Sequence, residues 1–232
     1  MATLGPIIPG IPGVRSAVQA TYRIVFRQVT LMGGLAQGRL IDGTKASDPD
    51  NTGDVDRLRA GLLMGKVTSG GLYANSIIGV TQGAYTSGGT TLTVTAAQAA
   101  EIVRRIGTSG SLKAIGPPTA AGTVATTSVT YSAVNTTTGV ITVTSLGVDK
   151  IAGTFITDTD GSQAPVTFIP DGYPIPVSDA GGTRLTVQMP EVPVAGILDP
   201  SQIVNWPSDT SLQAWITTAL NNVGQYVFST NY

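Results

Sequence analysis

The chain of 232 residues has a formal net charge of −1, and 12% of its residues are charged, against about 25% in an ordinary soluble domain. It contains no His and no Cys, which excludes a Ser-His-Asp triad, a cysteine nucleophile, an ordinary zinc site and a disulfide framework. It has no basic tract and no run of about 18 apolar residues, so the sequence predicts neither direct nucleic-acid binding nor a membrane span.

Catalysis without His or Cys would need paired carboxylates or a lysine poised in a pocket. The only glutamates are Glu101 and Glu191, and the lysines lie in separate segments with no Ser-x-x-Lys among them. We therefore predict that the protein is not an enzyme and holds no cofactor. So few charges suit a protein that packs against other proteins, because the cores of interfaces are depleted in charged residues. They also suit a monomer whose surface is covered by Thr and Ser.

Residues 1–14 alternate apolar residues with Pro and Gly, and this density of proline excludes a regular helix. The sequence predicts an extended arm. Two interpretations stay open: a disordered tail, as is common at termini, or an arm whose apolar side chains dock on a partner. The second interpretation predicts the contact residues Leu4, Pro6, Ile7, Ile8, Pro9, Ile11 and Val14.

Two strands are predicted in the first third of the chain. Residues 22–29 are rich in aromatic and β-branched residues at alternating positions, which favours a strand. The segment RAGLLMGKVTSGGLYA at 59–74 predicts another strand, in which glycines mark breaks or turns.

The stretch DPDNTGDVD at 48–56 resembles part of a calcium-binding EF-hand loop. With Asp48 at position 1, Asp50 and Gly53 fall at positions 3 and 6. Position 12 needs a bidentate Glu, but Arg59 stands there. We therefore predict a polar surface loop built on Asx-turns, which feeds the strand after it, with no metal site and no calcium dependence.

Residues 80–148 are predicted to form a small α+β module in the order β-α-ββ. A capping box of Thr95 and Gln98 begins its helix, and an apolar stripe follows at helical spacing. Two arginines at the end of the helix are interpreted as solvated charges. Two alternating strands then flank the turn NTTTG at 135–139, which predicts a hairpin. The stripe is Ala99, Ile102, Val103 and Ile106, and the arginines are Arg104 and Arg105.

Residues 149–232 return to short strands separated by Asp-Gly turns. A helix follows, with Ser208 as its predicted N-cap, Asp209 in its first turn and Gly224 at its end. A terminal strand is predicted at 225–232. The apolar stripe of the helix comprises Leu212, Trp215, Ile216, Ala219, Leu220 and Val223, with Trp215 interpreted as a core anchor.

Three motifs follow one another along the chain: Ala-Gly-x-x-x-Gly-Lys, then Asp-Gly-Ser-Gln, then Trp-Pro ahead of the last helix and strand. Their residues are Ala60, Gly61, Gly65, Lys66, Asp160, Gly161, Ser162, Gln163, Trp206 and Pro207. In this order they resemble the head decoration proteins of tailed phages, the lambda D-like capsid-stabilising family. The resemblance covers about 15–78 and 150–232 and leaves out the middle of the chain.

The resemblance implies a mainly β fold, the β-tulip, here with a short C-terminal helix. Residues 15–79 and 149–232 would form the decoration-protein core. Residues 80–148 would be an inserted β-rich module that faces outward, and 1–14 would be the arm that docks on the capsid.

The resemblance also implies a function. Members of the family are capsid decoration, or cement, proteins that bind as homotrimers at local threefold sites of the expanded head. They stabilise the head against DNA pressure. The implied partners are the major capsid protein and further copies of the chain, on the outer surface of the virion, after synthesis in the bacterial cytoplasm. The arm is expected to add a strand to an edge of the capsid protein.

Two other functions stay open. One is a surface adhesion or carbohydrate-binding module, with 80–148 as the contact to the host surface. Tyr85 and Tyr131 are the only aromatic residues of that segment, which argues against a platform for sugars. The other is a structural role in the tail or baseplate.

Overall fold

The chain is mainly β, as the sequence predicts, with two α-helices and one 3-10 turn in its described part. The structure is a computed structural model that describes residues 24–28, 39–51, 53–170, 172, 174–189 and 195–229, with only the backbone for 26–28. The more specific β-tulip fold stays a prediction. The predicted arm at 1–14 lies outside the described residues, together with its contact residues Leu4, Pro6, Ile7, Ile8, Pro9, Ile11 and Val14.

The strands are short, and β9, with 11 residues, is the longest of those described. The helices are α1 (Ala96–Arg105) and α2 (Thr210–Asn221), and the 3-10 turn is Pro200–Gln202. Strands β1 to β8 are Phe26–Gln28, Leu40–Asp42, Arg57–Leu58, Leu63–Lys66, Tyr73–Asn75, Gly79–Val80, Thr91–Thr93 and Gly110–Gly116. Strands β9 to β16 are Ala125–Asn135, Val140–Val143, Phe155–Thr157, Pro165–Phe168, Ile175–Pro176, Thr186–Gln188, Ala195–Leu198 and Gln225–Phe228.

Four sheets organise these strands. A five-stranded sheet has the order β12-β4-β5-β2-β14, and a six-stranded sheet has the order β6-β11-β8-β9-β10-β7. A three-stranded sheet has the order β1-β15-β16, and β13 pairs with β3. The pairs β2–β5 and β15–β16 are parallel, and the other described pairs are antiparallel.

Strand β11 lies between two apolar clusters. Phe155 points into a cluster that also holds Phe168 and the buried face of α2, whereas Ile156 points into a cluster between α1 and the six-stranded sheet. This alternation follows from the two-residue period of a strand, which sends neighbouring side chains to opposite faces. A third cluster lies around the five-stranded sheet.

The segment 80–148 shares a sheet with strands at its borders. Strand β8 pairs with β11, with Ile115 opposite Phe155, and β11 pairs in turn with β6. The interpretation of 80–148 as an insertion stays a prediction, but its strands and those of the predicted core form one hydrogen-bonded sheet.

The internal order of this segment differs from the prediction in one strand. Helix α1 is followed by three strands rather than two, because Gly110–Gly116 forms β8. Its sequence GSLKAIG has a weak β signal, and the ladder to β9 along its whole length holds it as a strand. The predicted hairpin at 135–139 is confirmed, with Asn135 opposite Val140.

The predicted capping box of α1 is confirmed. The N–H of Gln98 donates to the Thr95 hydroxyl at 3.2 Å, and the N–H of Thr95 donates to Gln98 Oε1 at 3.3 Å. Of the predicted apolar stripe, Ala99 and Ile102 are buried, and its other two members are partly buried.

The interpretation of the two arginines at the end of α1 as solvated charges is wrong for Arg105, whereas the Arg104 side chain is 26% exposed. The Arg105 side chain is 0% exposed and forms ion pairs with Asp158 at 2.9 Å and Asp160 at 3.3 Å. It stands three residues after Ile102 and seven after Gln98, so it lies on the buried face of the helix.

The side chain of the neighbouring Arg104 also forms an ion pair and a hydrogen bond. Its guanidinium pairs with the buried carboxylate of Glu101 at 2.6 Å and donates to the carbonyl of Thr44 at 2.6 Å. Both arginines therefore tie α1 to the chain around it.

Helix α2 begins one residue later than predicted. Asp209, rather than Ser208, is its N-cap, and its Oδ1 accepts hydrogen bonds from the N–H groups of Ser211 and Leu212, each at 3.0 Å. Asp and Ser are both good N-caps, so the sequence alone does not separate the two.

The apolar stripe of α2 is shorter than predicted. Its buried members are Leu212, Ile216 and Leu220, and each such side chain contributes roughly 1.5–3 kcal/mol on burial. Val223 is 50% exposed, because the helix ends at Asn221. Trp215 lies half-buried against the first cluster, 6.0 Å from Phe155, as a core anchor would.

The stretch 48–56 is a loop with an Asx-turn, as predicted, in which the N–H of Asp56 donates to Asp54 Oδ1 at 3.2 Å. It is exposed only in part, because its aspartates are held by side chains from four parts of the chain. Asp48 is 0% exposed and pairs with Arg59, the residue that rules out an EF-hand. The partners are Arg59 for Asp48, Gln98 and Asn205 for Asp50, Arg57 for Asp54, and Arg184 with Ser178 for Asp56. These carboxylates are therefore engaged in hydrogen bonds and ion pairs with other side chains. The described residues contain no group of three or more His, Cys, Asp or Glu that could hold a metal ion.

Candidate interaction surface

The segment 195–229, here called the uncharged corner, is almost free of charged residues of its own. The segment comprises β15, the 3-10 turn, α2 and β16, and its only charged residues are Asp199 and Asp209. Both aspartates are N-caps, Asp199 of the 3-10 turn and Asp209 of α2. The rest of the corner presents apolar and neutral polar side chains.

Several large apolar side chains are exposed at this corner. Strands β15 and β16 run parallel with Ile197 opposite Val227, and Val227 is 60% exposed. Val223 is 50% exposed, and Ile24, just ahead of β1 in the same sheet, is 60% exposed. A groove of about 520 Å³ runs between β15, β16 and the end of α2. Val227 lines this groove, and an apolar groove of this kind is typical of a surface that another molecule covers.

A second groove lies on the other side of the corner, here called the aromatic groove. The indole of Trp206 stacks on the ring of Phe228, with their centroids 4.9 Å apart and the planes 23° apart. The groove has a volume of about 540 Å³ and no charged residue in its wall. It is lined by Pro200, Trp206, Thr210, Gln213, Ala214, Thr217, Thr218 and Phe228.

Strand β16 is an edge of its sheet in the described part of the chain, and a side chain blocks part of that edge. The N–H of Tyr226 donates to Asn221 Oδ1 at 2.7 Å, and Asn221 Nδ2 donates to the Tyr226 carbonyl at 3.2 Å. An open edge offers such groups to any passing strand, so Asn221 protects the edge against unwanted pairing.

Replacing Asn221 with Ala is expected to lower the free energy of unfolding by about 1–2 kcal/mol and to increase self-association, because two backbone groups of the edge lose their partner. Urea denaturation and sedimentation velocity at several protein concentrations would measure both effects. Asn222→Ala, at the exposed neighbouring position, is the matched control. Equal free energies of unfolding and equal self-association of the two variants would contradict the protective role of Asn221.

Beneath the same sheet, Tyr226 packs edge-on against Phe168, with ring centroids 5.5 Å apart. Burial raises the pKa of Tyr226 to about 12, from its ordinary value of 10.0. Because the folded state holds the proton more tightly than the unfolded state, the stability linked to this group is complete below pH 10. It is lost as the pH rises from about 10 to about 12.

We therefore expect the free energy of unfolding, measured by urea denaturation at a series of alkaline pH values, to fall between about pH 10 and 12. Tyr226→Phe should make this decrease in the free energy of unfolding smaller, whatever the substitution does to stability at neutral pH. The same slope in both proteins would show that another group causes alkaline unfolding.

The three motif segments meet in space, and β4 is the element between them. A Cβ atom on Gly65 would lie 1.9 Å from the carbonyl oxygen of Ser162, and one on Gly61 would lie 2.0 Å from the carbonyl oxygen of Gln202. Gly61 also has a φ of +85°, which favours glycine. Glycine at these two positions lets the strand approach 160–163 on one side and the chain ahead of Trp206 on the other.

Asp160 is the centre of a buried ion-pair cluster. Its carboxylate pairs with Lys45 at 2.8 Å and Arg105 at 3.3 Å, and accepts a hydrogen bond from the Ser162 hydroxyl at 2.6 Å. Burial by itself would raise the pKa of Asp160. The hydrogen bonds from Lys45 and Ser162 and the charge of Arg105 outweigh it and hold this pKa well below its usual range.

The remaining motif residues have different surroundings. Gln163 accepts a hydrogen bond from the N–H of Gly161 at 2.9 Å, and Pro207 is buried with its carbonyl bonded to α2. Ala60 is buried beside Gly61, Lys66 is exposed, and Trp206 lines the aromatic groove. Most motif residues thus hold the fold, and Trp206 is the one placed to touch a ligand. Their match to the family stays a prediction.

Sequence reasoning missed three residues that shape these surfaces. Arg105 shares a helical stripe with Gln98 and Ile102, and that spacing was a usable signal. Asn221 and Phe228 gave no such signal, because Asn221 acts by binding the backbone of Tyr226 and Phe228 by stacking on Trp206.

No protein-family model, curated protein or solved structure matches this chain. In the described part of the chain, no helix has the length and apolar character needed to cross a membrane.

Proposed function

We propose that this protein is a capsid decoration, or cement, protein of a tailed phage. It binds as a homotrimer to the major capsid protein at local threefold sites of the expanded head, on the outer surface of the virion. Its role is to stabilise the shell against the pressure of packaged DNA. It acts through protein contacts, without catalysis, a cofactor or direct contact with nucleic acid.

The observation that carries this proposal is the uncharged corner. A charge that becomes covered at an interface must be paired or loses hydration, so a surface without charges can be covered at low cost. The corner has only two charged residues, both used as N-caps, and exposes Val223 and Val227. Ile24, where the chain from the apolar segment 1–14 enters the described structure, is exposed beside it.

The contacts among the three motif segments give further support. The resemblance rests on their order in the sequence, and in the folded chain they touch each other through Gly61 and Gly65. If the chain shares the fold of that family, the motif residues are expected to lie together and to hold the same elements against each other. Binding of three linked copies would give firm attachment from weak single contacts.

Co-sedimentation with undecorated phage heads, both expanded and unexpanded, tests the proposal. We expect saturable binding to expanded heads alone, at about three copies per local threefold site, and heads that resist heat and chelator better once decorated. Absence of binding to either form would overturn the proposal and direct attention to the tail or baseplate.

Removal of residues 1–14, so that the chain starts at Arg15, is expected to leave folding and trimerisation intact and to weaken head binding at least about tenfold, because the apolar docking arm is lost. The same co-sedimentation assay measures the loss, and circular dichroism and sedimentation velocity control for fold and assembly. Head binding at full strength would remove the arm from the binding mechanism.

A second candidate function is adhesion to a host surface through 80–148. The outer face of β7, β9 and β10 exposes a row of hydroxyl side chains, and no charged residue occurs between Lys113 and Asp149. Because β8 pairs with β11, deletion of the segment would break the sheet, so Thr91→Arg with Thr142→Arg is the better test. Loss of cell or glycan adhesion with unchanged head binding would favour this function.

A further inference from the structure

The segment 1–14 contains a spacing that capsid docking does not explain. Residues 6–12 read PIIPGIP, so proline recurs at every third position. A polyproline II helix has three residues per turn and no internal hydrogen bonds, and this spacing would place Pro6, Pro9 and Pro12 along one edge of it. Segments of this PxxP type dock in grooves lined by aromatic side chains.

The aromatic groove has the chemistry that such a segment needs. Its walls include the stacked rings of Trp206 and Phe228 and the ring of Pro200. Neither the groove nor residues 1–14 contain a charged residue, so neither partner loses charge hydration on contact.

The described chain begins beside this groove. The N–H of Asp199 donates to the Val25 carbonyl at 2.9 Å, and Phe26 lies opposite Leu198, so the antiparallel register places Ile24 beside Pro200. Pro200 is part of the groove wall. Ile24, the first described residue, therefore lies next to a residue of the groove wall.

The chain between the proline-containing segment and Ile24 is long enough for that segment to reach the aromatic groove. Residues 15–23 separate the proline-containing segment from Ile24 and can span up to about 30 Å. Strand β1 lies two strand spacings, about 10 Å, from β16, which carries Phe228. The segment can thus turn back into the groove of its own chain.

We propose that residues 5–14 bind as a polyproline II helix in the aromatic groove of the same chain, with the three prolines against Trp206 and Phe228. The groove is then a storage site for the N-terminal segment in the unassembled protein. This goes beyond the proposed function and does not depend on it, because the contact forms within one chain and needs no phage head.

Photo-crosslinking of the full chain tests the proposal. A variant with p-benzoylphenylalanine at Ile8 is irradiated in dilute solution without heads, and the products are mapped by mass spectrometry. We expect cross-links of monomer mass to residues 206–218 or Phe228. Cross-links of dimer mass would assign the segment to a second copy and overturn the intramolecular contact. Cross-links elsewhere, or none, would overturn the groove as the binding site.

Two further changes test the recognition itself. Thr218→Arg places a charge in the groove wall and should lower the cross-link yield about tenfold. Ala100→Arg, on the exposed side of α1, adds the same charge elsewhere and should leave the yield unchanged. Replacement of Pro6, Pro9 and Pro12 by Ala should abolish the cross-link. Its persistence would show a contact that does not depend on the polyproline conformation.

Discussion

Replacing Arg105 with Met is expected to lower the free energy of unfolding by about 3–5 kcal/mol, the range for removing one partner of a buried ion pair. The Arg105 side chain is fully buried, and its guanidinium binds Asp158, Asp160, Ser162 and the chain at Asn75. Methionine is similar in length and apolar, so packing changes little. The main cost is that Asp158 loses the cation of its ion pair, while Asp160 keeps only Lys45 as its cation.

Urea denaturation at neutral pH measures this loss, and Lys66→Met is the matched control. Lys66 is exposed, so its replacement should change the free energy of unfolding by no more than about 0.5 kcal/mol. For Arg105→Lys, the loss in the free energy of unfolding should lie between those of Arg105→Met and Lys66→Met. An ammonium group keeps the charge but cannot form the two parallel hydrogen bonds of a guanidinium. A loss below about 1 kcal/mol for Arg105→Met would show that water satisfies the carboxylates instead.

Replacing Gly65 with Ala is expected to cost about 3 kcal/mol, at the upper end of the usual range for overpacking. The added Cβ would lie 1.9 Å from the carbonyl oxygen of Ser162 and 2.8 Å from that of Ala164. Both are backbone atoms, so neither can rotate away as a side chain would. Relief requires β4 to move away from the segment that leads into β12, which would disturb the sheet between them.

Gly83→Ala is the control for this substitution. A Cβ at Gly83 meets nothing within 4 Å, and Gly83 is not among the residues with positive φ. The free energy of unfolding should stay within about 0.5 kcal/mol or rise slightly, because alanine restricts the unfolded chain. Thermal or urea unfolding of the two variants side by side gives the comparison. Equal stability would show that the backbone near Ser162 gives way easily.

These two residues also indicate how the middle of the chain is held. Arg105 comes from α1, within 80–148, and two of its partners, Asp160 and Ser162, lie in the Asp-Gly-Ser-Gln segment that also receives Gly65. Gln98, at the other end of α1, binds Asp50. The middle segment is thus anchored at both ends of its helix and through the sheet. A mechanical load on the outer face of this segment would therefore be transmitted to the predicted core through these contacts.

The sequence by itself determined the elements whose signals are local. The capping box of Thr95 and Gln98, the hairpin at 135–139 and the buried stripe of α2 all follow from spacing within one turn or one strand pair. The mainly β character follows in the same way, from alternating residues and glycine turns. The missing His and Cys exclude whole classes of chemistry by composition alone.

Only the tertiary structure decided what the charged residues do. Some pairs are local, such as Arg104 with Glu101, but others join residues far apart in the sequence, which no local pattern reveals: Asp56 pairs with Arg184, and Arg105 with Asp158. The stretch 48–56 looks like a surface loop for this reason, yet it fastens several elements together. The aromatic groove depends likewise on tertiary packing, which brings Phe228 against Trp206. Such pairings are set by packing across the whole chain, and no local pattern encodes them.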